Sequence, residues 1–390
     1  MERRKKITRW SLVALGALLL LSIPSLGEAA GEALGPGDVV KQFVHLDALG
    51  AIYLIILGFL GGLISGFIGS GGAFVLTPGM MSLGAPAAIA VASNMCHKFP
   101  KAMVGAYKRY KYGQLDLKMG LFMAISAVIG VQLGIYVQKF IFAKWGSAGS
   151  NLYVSVAFVL ILTLVGLYML FDARRAVRAK SEDTTSRLAE RMKRITIPPI
   201  INFNVARTRV SFWVIVPLGL ATGMLAATIA VGGFIGVPGM IYVLGVPPIM
   251  ASATELVVAF LMGLTGTVTW ALSGFVDIRM VLLLLAGSLI GVQLGAVGTT
   301  YVKEYMIKLV MATIMLIVSV SRGIAIPTYL HQLGIIKLDQ STIKLLNNTS
   351  FIIMCLALAT GGAIVLGNMW KRKRELEAKD AGVAVTLQKT

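Results

Sequence analysis

One apolar block occurs twice in this chain, at a single fixed spacing. Ile129-Gly130-Val131-Gln132-Leu133-Gly134 returns unchanged as Ile290-Gly291-Val292-Gln293-Leu294-Gly295, 161 residues further on. At the same spacing Gly58 pairs with Gly219, Gly62 with Gly223, Gly71-Gly72 with Gly232-Gly233, Pro86 with Pro247, Gly105 with Gly266 and Asp116 with Asp277. Most apolar runs in each copy have the ~20 residues a helix needs to cross a ~30 Å hydrocarbon core. One run per copy is too short for that and opens on glycines. A duplicated apolar unit with a glycine break in each half predicts an all-α polytopic membrane protein of two tandem repeats, and points first to a transporter.

The chain is 57% hydrophobic and 14% charged, against about 25% charged in a soluble protein. Irregular chain and open sheet edges cannot face lipid, and long apolar runs differ from the ten-residue alternation of a membrane barrel. The formal net charge of +19 sits in short segments between apolar runs. It therefore reads as topology, with Lys and Arg inside, and not as a nucleic-acid surface. Cys96 and Cys355 both lie in apolar runs, as inert buried thiols, and form no disulfide framework. His45, His97 and His331 are too scattered to hold a metal, and no cofactor is implied.

Residues 1–47 read as a signal peptide or first transmembrane anchor followed by an external segment, because Met1 to Lys6 is basic and Trp10 to Ile23 apolar. The first repeat covers 48–171, with runs at 49–68, 72–83, 86–107, 118–140 and 152–171. A basic cytoplasmic linker, 172–211, follows; it reads as solvated chain with a partly helical start. The second repeat covers 212–322, with runs at 212–230, 233–246, 248–272, 280–302 and 305–321. An external loop at 323–350, a final helix at 351–370 and a basic cytoplasmic tail at 371–390 complete the chain.

Charge orients the repeats. The loop after the third run of the first unit carries Lys108, Arg109, Lys111 and Lys118, whereas its counterpart carries only Arg279. With the short glycine-led runs counted as crossings, every basic segment falls inside and the two units have opposite orientation.

Gly62 to Pro78 reads GLISGFIGSGGAFVLTP, followed by Gly84-Ala85-Pro86, Ser93-Asn94 and Gly113-Gln114-Leu115-Asp116; the second unit carries Val231-Gly232-Gly233, Pro238, Ala253-Thr254-Glu255 and Gly274-Phe275-Val276-Asp277. This pattern resembles the TauE/SafE sulfite exporter family, also called the toluene sulfonate uptake permease family. The resemblance covers about 57–135 and 218–296. It implies a multi-pass transporter of the bacterial cytoplasmic (inner) membrane, carrying a small oxyanion or sulfonate such as sulfite, sulfate or sulfoacetate, with the lipid bilayer as its other partner. The family's Thr-Ser position is Ser93-Asn94 in one half and Thr254-Glu255 in the other. The carboxylate there either disturbs a simple anion site or adds proton coupling to it.

The candidate substrate-binding residues are Ser70, Gly71, Gly72, Asn94, Gly232, Gly233 and Thr254. The start of a short helix offers free N–H groups and positive potential, and glycine lets the backbone approach a ligand. Inverted repeats would bring two such starts face to face. Glu255 and His97 are the candidates for proton coupling, since a carboxylate in a membrane span must be protonated, paired or near water. Gly58, Gly62 and Gly66 read as a helix-packing stripe, Gln132 and Gln293 as interhelical hydrogen-bonders, and Asp116 and Asp277 as helix caps. Lys98 and Lys101 are expected to snorkel to the cytoplasmic rim, where Lys98 could draw anions into the inner vestibule. No Gly-x-x-x-x-Gly-Lys-Ser/Thr motif is present, and no catalytic constellation of an enzyme is visible. A membrane assembly or sensory subunit acting through the basic linker is the alternative. The sequence leaves the anion, the direction of transport and a homo-oligomer open.

Overall fold

The computed structural model describes residues 43–44, 46–69, 73–179, 187–193, 197–230, 232–302 and 304–387. Its first half contains α1 (Ala48–Ile68), α2 (Ala73–Ser82), α3 (Ala87–Lys111) and α4 (Leu117–Ala179). The linker holds α5 (Arg187–Lys193), β1 (Ile200–Phe203) and β2 (Thr208–Ser211). Then come α6 (Phe212–Ile229), α7 (Gly233–Tyr242), α8 (Pro248–Leu272), α9 (Ile278–Gly298), α10 (Glu304–Gln332) and α11 (Gln340–Leu387). Among the described residues seven helices, α1, α4, α6, α8, α9, α10 and α11, are long and apolar enough to cross a bilayer. The protein is an all-α polytopic membrane protein.

Local chemistry starts and stops these helices. Asp47 accepts from the Gly50 N–H at 2.7 Å to open α1, and Gly69, in the left-handed region at φ 80°, closes it. Asp116 and Asp277 act as the expected caps, accepting from Met119 at 3.0 Å and from Arg279 at 3.1 Å. The fourth and fifth runs of the first unit form one helical tract, broken at Gly146 with φ 62°.

Small residues set the packing. A Cβ on Gly58, Gly62 or Gly66 of α1 would overlap the carbonyl oxygens of Leu284, Ser288 or Val292 of α9. In return Gly287, Gly291 and Gly295 abut the carbonyls of Ile55, Phe59 and Leu63. Position numbers rise together on both sides, so α1 and α9 run parallel. The same contacts recur 161 residues away: Gly219 and Gly223 of α6 meet Met123 and Ala127 of α4, while Gly130 and Gly134 meet Leu220 and Met224. Between these pairs α3 crosses α8 in the opposite sense, with Gly105 against Leu256, Phe99 against Gly263 and Met95 against Gly266. Backbone-to-backbone approach of this kind is what holds helices together where lipid removes the hydrophobic driving force.

The far ends of the two short helices are pinned by polar clusters. At the end of α2, Ser82 accepts from the buried Arg322 at 3.1 Å, and Arg322 also reaches Ser350 at 2.8 Å. At the end of α7, the Tyr242 hydroxyl donates to Asp172 at 2.9 Å, and Lys308 pairs with the same carboxylate oxygen at 2.6 Å.

Three expected boundaries move. The segment 323–350 is mostly helix and not a loop: α10 continues to Gln332, and only the turn around Gly334 (φ 73°) separates it from α11 at Gln340. The final helix exceeds 351–370 at both ends, running from Gln340 to Leu387 and taking in most of the basic tail. Within the linker, residues 200–211 form an antiparallel hairpin docked on the bundle, with Ile200 opposite Ser211. The Ala206 N–H donates to Asp116 at 3.0 Å, Thr208 donates to the Leu244 carbonyl at 2.7 Å, and the Phe203 ring packs edge-on against Phe122. Its alternating apolar residues bury one face, which a solvated linker would not do. The N-terminal anchor or signal segment lies outside the described residues.

Candidate functional site

The site is built where α3 meets α8. Asn94, His97, Lys98, Lys101 and Gly105 follow one another at three- and four-residue steps, which puts them on one face of α3. A face of that polarity cannot meet lipid; α8 and α9 cover it. Asn94 lies seven residues after the start of α3 and Glu255 seven after the start of α8. Each faces the short helix of its own half. The Asn94 amide donates to Thr77 of α2 at 2.8 Å. The Glu255 carboxylate lies against Gly236 of α7, where a Cβ would overlap its oxygens. Gly236 belongs to the first turn of α7, where the helix dipole is positive.

The neighbouring hydroxyls have a different role. Ser93 accepts from the Asp277 N–H at 2.9 Å, and Thr254 accepts from the Asp116 N–H at 3.1 Å. Each half thus lends a hydroxyl to the helix cap of the other. Thr254 is occupied in this exchange.

The charged groups are sealed in. Glu255 is 0% exposed, Lys98 1% and Lys101 0%. The two lysines flank the α3–α8 crossing at Phe99 and Gly263, so neither snorkels to a rim. Lys98 and Glu255 are charged neighbours, and Lys101 lies close enough to Lys98 and His97 to act on both. Among the described residues, neither Glu255 oxygen accepts a hydrogen bond and the Lys98 ammonium finds no acceptor. His97 is held through Nε2, 2.7 Å from the Ser288 hydroxyl of α9, with Nδ1 unpartnered among the described residues. Two buried lysines stand beside one buried carboxylate, and protonating that carboxylate makes the centre more positive. In a low-dielectric interior that favours an anion, and a carboxylate there can exchange a proton.

Ser70, Gly71 and Gly72 lie outside the described residues. Gly232 caps α7, and a Cβ on it would stand 2.5 Å from the Ala226 Cβ, so it packs closely on α6. Gly233 opens α7.

Two buried arginines escaped sequence reading. Arg109 ties the end of α1, through the Gly66 carbonyl at 3.0 Å, to the start of α8, through the Ile249 carbonyl and Ser252 hydroxyl at 2.7 and 2.8 Å. In the sequence it sits among Lys108, Tyr110 and Lys111 and looks like one more solvated base. Arg322 stands at the end of an apolar run, and its place inside a span was the only available signal.

The chain matches known proteins over this same region. The family model described as Sulfite exporter TauE/SafE matches residues 54–322. Probable membrane transporter protein YunE of Bacillus subtilis (strain 168) is 24% identical over 276 residues, covering 68% of this chain and 95% of that protein. Probable membrane transporter protein YdhB of the same organism is 26% identical over 261 residues, covering 65% of this chain and 93% of that protein. No solved structure matches the chain. The matched span runs from α1 into α10 and takes in both short helices and the whole charged crossing, so the chain belongs to the TauE/SafE sulfite exporter family of membrane transporters.

Proposed function

We propose that this transporter is a secondary carrier of a sulfur-containing anion (sulfite, sulfate, a sulfonate or sulfoacetate), coupled to protons through Glu255. The observation that carries the reading is the charged crossing of α3 and α8. A carboxylate with no hydrogen-bond partner among the described residues is buried beside cations at the start of a glycine-led short helix. Such groups are costly inside a membrane and mark ion pathways. Asn94 and Gly233 are assigned to the substrate path, and His97 to proton exchange.

The two halves are assigned opposite orientations in the bacterial cytoplasmic membrane, with the basic linker and C-terminus inside. Three directions support this: α1 runs parallel to α9, α6 runs parallel to α4, and α3 opposes α8. The counterpart helices α3 and α8 point in opposite senses, as inverted repeats in carriers with a central site would require.

Uptake into proteoliposomes tests the reading. Radiolabelled sulfite, sulfate and a small sulfonate are compared at varied pH for the wild type and Glu255→Gln. Saturable uptake of at least one is expected, with its pH dependence lost in the variant. Absence of flux for every oxyanion sinks the transport assignment. A pH dependence unchanged in the variant sinks only the role of Glu255.

A further inference from the structure

Lys98 is the least explained charge among the described residues. It is 1% exposed at the crossing of the two central helices, and its ammonium has no acceptor among the described residues. Its charged neighbour, Glu255, is equally buried and equally without a hydrogen-bond partner among them. Two opposite charges this near each other, both desolvated, gain most by closing into a hydrogen-bonded pair. Here they stand as neighbours without pairing. Lys98 also lies one helical turn beyond Asn94, which faces α2, while Glu255 faces α7. Lys98 thus follows the residue that faces one short helix and is a charged neighbour of the residue that faces the other.

We propose that Lys98 is the anion-binding cation of this site, and that Glu255 competes with the anion for it, so that each anion enters together with a proton on Glu255. The proposal rests on the transport reading above and deepens it. With Glu255 ionised, its charge offsets that of Lys98 and an oxyanion is repelled by the carboxylate. With Glu255 protonated, Lys98 loses the charge that offset it, and the acid becomes a donor to the anion's oxygens. Anion and proton each favour the other's binding, as linkage requires.

The groups around Glu255 single out Lys98. Glu255 is the only titratable side chain of α8, and α6 has none. From α3 come His97, held by Ser288, the two lysines, and Arg109, held at the inner end by backbone carbonyls and Ser252. The one titratable residue of α7, Tyr242, is bonded to Asp172. On α4, Lys139 reaches Ser273 beyond the far end of α8, and Lys118 reaches the hairpin. Arg279 of α9 is paired with Asp277. On α10, Lys308 is paired with Asp172 and Arg322 is held by serines. On α1, Tyr53 donates to the Gly79 carbonyl.

Binding to the purified full chain in lipid nanodiscs tests this. The probes are radiolabelled sulfate and sulfoacetate, whose own charges stay constant over the neutral range. For a probe that the wild type binds, affinity is expected to fall about tenfold per pH unit on the alkaline side, the slope of one linked proton. A pH indicator in weak buffer is expected to register one proton taken up per anion. Glu255→Gln should bind with an affinity flat across that range and with no proton uptake. Lys98→Gln should bind at least about tenfold more weakly at every pH, and Lys98→Arg should restore binding. Size-exclusion profiles and thermal midpoints check that the variants are folded. If Lys98→Gln does not fold, Lys98→Arg and the pH slope of Glu255→Gln decide the matter. Wild-type affinity in folded Lys98→Gln, or a pH slope that survives Glu255→Gln, overturns the proposal and leaves transport standing. A wild type that neither binds nor carries any oxyanion removes the transport reading itself.

Discussion

The first and second halves of this molecule are alike in backbone and unlike in charge. Where α6 meets α4, carbonyls abut glycines at positions 161 residues removed from those where α1 meets α9. Ser93 and Thr254 cap each other's half with the same hydrogen bond. Yet at the next residue the halves part. Asn94 is neutral and donates to Thr77, whereas Glu255 is a buried carboxylate facing backbone at Gly236. Backbone contacts must be kept in both halves for the helices to approach. The side chains next to the short helices are under no such demand, so chemistry can become one-sided there without loss of scaffold.

The scaffold half of this comparison gives the largest expected effect. Gly62 and Gly223 occupy corresponding positions, and a side chain on either would run into a carbonyl of the facing helix. Backbone cannot yield as a flexible side chain can. Gly62→Leu and Gly223→Leu should each cost on the order of 3 kcal/mol, seen as loss of monodisperse protein or a sharply lower thermal midpoint. Indifference at one position would break the equivalence of the halves.

Smaller but matched losses are expected from the exchanged hydroxyls. Ser93→Ala and Thr254→Val each strand a buried N–H, of Asp277 and Asp116 respectively. Each should destabilise by about 1–2 kcal/mol, measured as a shift in thermal midpoint in the same detergent. Removing both should give close to the sum, because the two bonds lie in different caps.

Much of this was legible in the sequence because helix packing in lipid depends on small residues at fixed intervals. Gly58, Gly62 and Gly66 announce a packing stripe whatever their partner. Asp116 and Asp277 announce caps because a carboxylate after glycine at a helix start has little else to do. Burial of charge was not legible. Lys98 and Lys101 read as snorkelling residues because their depth depends on where α3 crosses α8, a tertiary fact that no local spacing encodes. Gln132 and Gln293 show the same limit. Both are glutamines in an identical hexapeptide, but Gln132 accepts from Thr269 of α8 at 3.1 Å, while exposed Gln293 only donates back to its own helix at Leu289. The hairpin at 200–211 was hidden by the surrounding basic residues, which dominate the composition of the linker.

The smallest effect on stability, and the sharpest test of the one-sided chemistry, is expected at Gly236. Its counterpart 161 residues earlier is Val75, a buried side chain on α2. In the first half that place is filled with carbon; in the second the corresponding space holds the Glu255 carboxylate. A methyl group at position 236 meets the far end of a flexible side chain and not a backbone. The gain in helix propensity from Gly to Ala, about 1 kcal/mol, offsets much of the steric cost. Gly236→Ala should therefore leave the thermal midpoint nearly unchanged while it displaces the carboxylate from α7. Its uptake profile against pH should shift relative to wild type, whereas Val75→Ala, at the counterpart position in the other half, should leave the profile in place. Identical profiles for the two variants would show that the contact between Glu255 and the first turn of α7 has no part in coupling.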